Sequence, residues 1–288
     1  MKRILVLGAT GSLGKFVIEE LRRQGYWIRV LSRSSSKLRS LNASFDESVL
    51  GDLFDPKSLE SAVSGIDAVI SCAGASLDLR NFRDKHTFEE INFTGNRNVL
   101  SAAVQERVSK FIYVSFLRVE GIQRTEYIQS HEKISEAIRK SGLPYTIVRP
   151  TAFFSILLSF LKLAKKGIGV VLGEGKVRIN PIHEKDVAKA VVEALKIDLE
   201  EMNIGGPDVF TRDEITELAL RVAGKDRKLF HIPIFFLNKV MIRFLQPFNQ
   251  RIFQFLRFGN VVHTLDVVGP KYGTERLENY FRENLDSV

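Results

Sequence analysis

A short β-rich run, Ile4-Leu5-Val6-Leu7, leads straight into Gly8-Ala9-Thr10-Gly11-Ser12-Leu13-Gly14, three glycines spaced three residues apart. A strand that breaks at once into glycines, with an amphipathic stretch behind them, is a strand turning tightly into a helix. Such a turn needs backbone with no side chain in the way, and it opens a strand-helix-strand unit. Residues 13–24 supply the helix, with Leu13, Phe16, Val17 and Leu21 on one face and Gly25 as the stop.

The alternation then continues. Strands are expected at 3–7, 28–32, 48–50, 68–72, 110–115 and 145–149, with helices at 88–106 and 126–140, the latter ended by Ser141-Gly142 ahead of Pro144. Strands alternating with helices predict a parallel sheet covered on both faces, an α/β Rossmann-type doubly wound fold. After Pro150 the pattern changes: a helix at 153–166, a hairpin at 170–179 around Gly173-Glu174-Gly175, and a helix at 183–196. Thr211 and Glu214 form the two ends of a capping box that starts a further helix. Residues 233–258 are rich in Phe, Leu and Ile, punctuated by Lys239, Arg243, Arg251 and Arg257 and broken at Pro247. The division expected is a Rossmann domain over 1–152, completed by elements from 180–206, with 153–288 mainly a smaller α+β substrate or lid lobe.

Composition narrows the chemistry. With 44% hydrophobic and 26% charged residues, the 288-residue chain can bury a sizeable core. One cysteine, Cys72, excludes an intramolecular disulfide, and five scattered histidines offer no metal-ligand spacing. No run approaches the roughly 18 to 20 apolar residues of a membrane span, and the expectation is a cytoplasmic protein without a bound metal. The net charge of +8 raises nucleic acid or an anionic surface as partners. No basic run interleaved with aromatics stands at a nucleic-acid motif spacing, so none is expected.

The glycine turn brings backbone close to a pyrophosphate and aims helix N-terminal N–H groups at it, although a tight turn with no ligand has the same pattern. Three further places fall where a dinucleotide needs them. Ser32, Arg33 and Lys37 follow the second strand, where an acid would hold a ribose hydroxyl and cations suit a 2′-phosphate, favouring NADPH over NADH. Asp52, in Gly51-Asp52-Leu53, stands to accept from the adenine amino group. Cys72, Ala73 and Gly74 end the fourth strand with small residues, and Cys72 reads as a small buried side chain with no partnering base.

These features together resemble the atypical extended short-chain dehydrogenase/reductases, including NmrA-like members. The likeness rests on Gly8 to Gly14, Asn92 in Ile91-Asn92-Phe93-Thr94-Gly95, Ser115 ending the fifth strand, and Ser141-Gly142-Leu143-Pro144-Tyr145-Thr146-Ile147-Val148-Arg149-Pro150. The tail, with Ile179-Asn180-Pro181-Ile182-His183, Asp186, Ile204-Gly205-Gly206-Pro207 and Gly269-Pro270-Lys271-Tyr272-Gly273-Thr274, is similar to the branch containing divinyl chlorophyllide 8-vinyl reductase. The resemblance implies an NADPH-dependent reductase of an apolar substrate. It also implies cofactor contacts from Gly8, Thr10, Gly11, Ser12, Leu13, Gly14, Leu53, Pro150 and Thr151, and a substrate wall at Asn180 and His183.

One departure stands out. Active members carry Tyr and Lys four residues apart on one helix, whereas here the segment is Tyr127-Ile128-Gln129-Ser130-His131. Four residues are about one turn, so Tyr127 and His131 share a face, while Lys133 lies about 120° to one side. An unperturbed His is only about one-quarter cationic at pH 7. Two readings follow: a working Tyr127/His131 pair, with Ser115 polarising a carbonyl, or an exposed tyrosine and a surface histidine. Beyond the sixth strand, Thr151, Ala152 and Phe153 border the crevice, and Phe153, Phe154 and 233–258 either form an apolar lid or simply pack the lobe. A third option lays 235–257 on an anionic membrane as a peripheral contact. The function expected is hydride transfer to an apolar small molecule; the rival is a non-catalytic NADP(H)-binding regulator or assembly factor with a protein partner.

Overall fold

The structure is a computed structural model and describes residues 2–39, 41, 44–77, 86–236 and 250–288. Seven strands, β1 (Arg3–Leu7), β2 (Trp27–Ser32), β3 (Glu47–Leu50), β4 (Ala68–Ser71), β5 (Lys110–Val114), β6 (Tyr145–Pro150) and β9 (Glu201–Ile204), form one sheet in the order β3-β2-β1-β4-β5-β6-β9. Every pairing in it is parallel. The chain winds outward from β1 to β3, then returns to β4 and winds the other way. The crevice between β1 and β4 is therefore the topological switch point.

Helices α1 (Gly14–Arg23) and α7 (Glu184–Glu193) cover one face, where Val17, Ile18, Val187 and Val191 pack on Ile4, Val6, Ile28 and Val30. Helices α3 (Pro56–Val63), α4 (Asn96–Gln105) and α5 (Glu126–Arg139) cover the other with Leu59, Val99, Ala103 and Ile134. The central strands are buried on both sides, which is why they read as continuous apolar runs. A short helix α2 (Ser35–Arg39) follows β2, and the approach to α4 is a π-helical turn, Glu90–Gly95, rather than an unbroken α-helix over 88–106. Gly95 packs close against Leu53 there: a Cβ would lie 3.0 Å from Leu53 Cβ.

The rest of the chain builds a third apolar cluster under α6 (Phe154–Lys165), α8 (Arg212–Val222), α10 (Gln250–Val262) and α11 (Leu277–Glu283), through Phe154, Leu161, Ile215, Phe258 and Phe281. Thr211 caps α8 in the expected capping box with Glu214. The hairpin expected over 170–179 does not form. Instead β7 (Val170–Leu172) pairs parallel with β11 (Phe230–Ile232), and β8 (Arg178–Ile179) pairs antiparallel with β10 (Phe210–Thr211). Its two glycines, both at positive φ, hand the chain from one small sheet to the other: Gly173 N donates to Ile232 O at 2.9 Å, and Gly175 O accepts from Asp213 N at 3.1 Å. One turn of helix, α9 (Ile234–Phe236), follows β11; Pro247 and the rest of 237–249 lie outside the described residues.

Candidate cofactor and active site

The glycine turn sits at the switch point under tight steric control. A Cβ on Gly8, whose φ is +74°, would lie 2.6 Å from Cys72 O, and one on Gly14 would lie 2.2 Å from Gly8 O. Neither position tolerates a side chain without moving backbone. Gly11 N donates to Gly8 O at 2.9 Å, and Thr10, Gly11 and Ser12 form the exposed tip. Leu13 at the N-cap of α1 offers no side-chain acceptor, so the first N–H groups of a ten-residue helix remain available to an anion.

Two asparagines fix the opposite lip. Ser71 Oγ donates to Asn96 Oδ1 at 2.5 Å and Asn96 Nδ2 donates to Ala73 O at 2.9 Å. Asn92 Oδ1 accepts from Ala75 N at 2.7 Å, while its Nδ2 donates to Ser130 Oγ at 3.0 Å. The loop Cys72-Ala73-Gly74 is thereby tied to α5. Burial pushes the Cys72 thiol up to about 12, so it stays protonated and is no nucleophile at neutral pH. Arg33 is exposed at the mouth after β2, where Ser32 Oγ accepts from Ser34 N at 3.2 Å. Asp52 Oδ1 accepts from Phe54 N at 3.0 Å, and Leu53 O accepts from Asn98 Nδ2 at 3.0 Å, which set the loop after β3.

Tyr127 and His131 meet on α5 with ring centroids 4.8 Å apart. The reading of an exposed tyrosine beside a surface histidine does not survive. His131 is 3% exposed, and Tyr127 is enclosed by Phe88, Phe116 and Phe258 at ring distances of 5.2, 6.4 and 4.8 Å. Burial, reinforced by Arg149, lowers the His131 pKa to about 3, so the one-quarter cationic fraction expected at pH 7 is replaced by a neutral ring. Its Nδ1 is hydrogen-bonded to the Tyr113 hydroxyl at 2.6 Å, and its Nε2 is buried with no partner among the described residues. A Cβ on Gly74 would lie 4.0 Å from His131 Cε1, so this ring edge stands beside the β4 lip. Lys133 pairs with Glu89 at 2.5 Å on the outer side of α5.

Tyr113 and Arg149 were not legible as site residues. Tyr113 reads as one more apolar residue of a buried strand. Arg149 is 1% exposed, yet it pairs with Glu132 at 2.5 Å and Glu201 at 3.1 Å and donates to Ser115 Oγ at 3.3 Å. No local pattern signals partners that distant in the chain. Ser115 Oγ thus accepts from Arg149, and its own proton has no acceptor among the described residues.

Past Pro150, Thr151 Oγ1 donates to Asn180 O at 2.5 Å, and Phe153 stands at the N-cap of α6. Two residues expected at the substrate wall lie deeper. Phe154 is packed into the lobe core between His183 and Tyr280, with centroids 5.5 and 5.4 Å away. Asn180 is fully buried: its Nδ2 donates to Gly206 O at 3.1 Å and Gly269 O at 2.9 Å, and its Oδ1 accepts from Gly269 N at 2.9 Å. It is a latch between three segments. His183 caps α7 by accepting from Lys185 N at 2.9 Å, and its ring also meets Phe16 of α1 at 5.4 Å. Glu184 beside it was missed: its carboxyl is buried, shifted upward by desolvation, with Oε2 without a partner among the described residues. Among the described residues no three His, Cys, Asp or Glu side chains gather to hold a metal ion, and no helix is long and apolar enough to cross a membrane.

Comparison with known proteins agrees with the fold and with NAD(P)H binding. The NAD(P)H-binding family model matches residues 8–198. The divinyl chlorophyllide a 8-vinyl-reductase of Cucumis sativus is 27% identical over 98% of this chain and 74% of its own length. The photosystem II assembly factor Ycf39 of Trieres chinensis is 25% identical over 82% of this chain and 74% of its own length. Among solved structures, the NADPH-dependent quinone oxidoreductase QOR2 of Escherichia coli, in complex with NADPH, superimposes with a TM-score of 0.75 at 18% identity, covering 97% of this chain and 99% of that one. That likeness is one of fold.

Proposed function

The chain belongs to the NAD(P)H-binding family, and we propose that it is an NADPH-dependent reductase of an apolar small molecule in which Tyr127 donates the proton. The observation that carries the reading is the Nε2 of buried His131, which has no partner among the described residues, on the face of Tyr127 and beside the β4 lip. A buried polar atom without a partner costs about 1 to 3 kcal/mol, and a ligand hydroxyl removes that cost. The residues fit NADPH. Gly8, Gly11 and Gly14, with the open N-terminus of α1, take the pyrophosphate; Ser32, Arg33 and Lys37 take the 2′-phosphate; Asp52 takes the adenine amino group. Thr10, Ser12, Leu13, Leu53, Cys72, Ala73, Gly74, Pro150 and Thr151 shape the groove, and His131 Nε2 meets the nicotinamide ribose. When bound, the reduced nicotinamide supplies the hydride.

Burial raises the Tyr127 pKa well above the ordinary tyrosine value, so its phenol is fully protonated at neutral pH. The protonated phenol is the form that reduction requires of a proton donor. Ser115, with its lone pair toward Arg149, keeps its own O–H to polarise the acceptor carbonyl. Phe116 and Phe258 around Tyr127 favour an apolar substrate. In a panel of apolar enones and quinones, Tyr127→Phe should lower turnover by about a hundredfold or more while nicotinamide fluorescence reports unchanged NADPH affinity. Normal turnover in the variant ends the assignment, and NADH binding as tight as NADPH ends the cofactor assignment.

A second reading is favoured by the same neutral His131. Without a cation beside Tyr127, phenolate formed on proton transfer is poorly stabilised, as suits a regulator or assembly factor that binds NADP(H) as a ligand. Such a protein must bind NADPH and NADP+ with clearly different affinities, because only differential binding shifts a state. Equal affinities with measurable turnover decide for the enzyme.

A further inference from the structure

Away from the crevice, one surface combines exposed aromatic rings with cations. Among the described residues, strand β11 pairs only with β7 and so stands at an edge of that two-stranded sheet. Phe230 on it is 66% exposed, and Phe235, just beyond, is 63% exposed. The end of α6 runs alongside. Phe230 N donates to Gly169 O at 2.7 Å, and a Cβ on Gly167 would lie 3.6 Å from Arg227 Nε. Leu163 and Ile168, joined by an Ile168 N to Leu163 O hydrogen bond, are each 40% exposed next to them. Ile234 Cδ1, 3.0 Å from a Cβ position on Gly173, continues the strip to Phe235.

The charges around these apolar groups are predominantly positive. Lys162, Lys166, Lys225, Arg227 and Lys228 are exposed, and half-buried Lys165 donates to Leu285 O and Val288 O. Within 162–169 and 224–235 the only acid is Asp226; Glu174 stands near the Phe235 end. His231 turns the other way, to Asp213 at 2.8 Å.

We propose that this strip is a docking surface for an anionic lipid bilayer, with Phe230 and Phe235 entering the interface and the cations meeting the headgroups. Exposed aromatics flanked by Lys and Arg match the two layers of such an interface, the ring at the acyl boundary and the charge outside it. An acidic protein would pair the charges yet leave two phenyl rings without a reason to face water. Nucleic acid would need the rings within stacking reach of a basic groove.

The test is flotation of the full chain with vesicles of phosphatidylcholine alone or with about one-third phosphatidylglycerol. Binding is expected only to the anionic vesicles, weakening as salt rises. The variant K166E/R227E/K228E should lose about tenfold or more in partitioning, and F230S/F235S should lose the part of binding that survives high salt. Thermal unfolding of both variants should match the parent, showing that the fold is intact. Equal binding to neutral vesicles, unchanged binding by the variants, or displacement by duplex DNA at equal charge concentration each overturns the proposal.

Discussion

At the scale of single residues, the departure from Lys to His at position 131 carries the most chemistry. A lysine there would be a charge; this imidazole is a neutral, oriented dipole. Its Nδ1 is held by the Tyr113 hydroxyl at 2.6 Å, and the Tyr127 ring packs against it at 4.8 Å. Tyr113→Phe leaves Nδ1 buried without a partner. It should therefore weaken NADPH by about tenfold, as a net loss near 1 kcal/mol or somewhat more, and weaken NADH by the same factor because both share the nicotinamide ribose. Fluorescence titration reads this directly, and unchanged affinity for both nucleotides separates Tyr113 from the site. The Tyr127/His131 pairing was legible because i and i+4 share a helix face. The partner of His131 was not, because a tyrosine inside an apolar strand looks the same whether its hydroxyl has work or not.

At the scale of elements, the parallel strands and glycine turn could be read in advance because their signals are local: alternating periods, glycine spacing, the Thr211 and Glu214 capping box. The region 170–179 could not, since its partners β10 and β11 come later in the chain and a glycine pair fits either a hairpin or a crossing between sheets. Asn180 shows the same limit. Its resemblance-based place at a substrate wall concerned the segment, while its side chain joins that segment to Gly206 and Gly269. Asn180→Ala would strip three hydrogen bonds from buried backbone, and the expected cost is about 3 kcal/mol, seen as a lower urea midpoint with unchanged slope. A loss under about 0.5 kcal/mol would mean that the three segments hold together without it.

Across the whole molecule, buried histidines make the fold sensitive to acid. Burial holds His131 down to about 3 and His263 down to about 4, whereas in the unfolded chain each titrates near 6.5. Above pH 6.5 both states are neutral and neither group alters stability. Below it the unfolded chain takes up protons that the folded chain refuses, so stability falls from about pH 6.5 down toward pH 3 to 4. By pH 4 His131 alone accounts for about 3 kcal/mol. His131→Gln, which keeps a partner for Tyr113, should remove about half of the histidine-linked fall in melting temperature over that interval and leave the share due to His263, and a parent whose melting temperature is level from pH 7 to pH 4 contradicts the burial. The order of the sheet has another consequence. Strand β9 closes the β6 edge, and α7 closes the face beside α1, yet both follow β6 by dozens of residues. During synthesis, a chain whose first six strands have left the ribosome presents an open strand edge and a bare apolar helix flank until residues 184–204 emerge. Translation speed through that interval, and chaperone cover over it, decide how much of the newly made protein reaches the native sheet before it meets another copy.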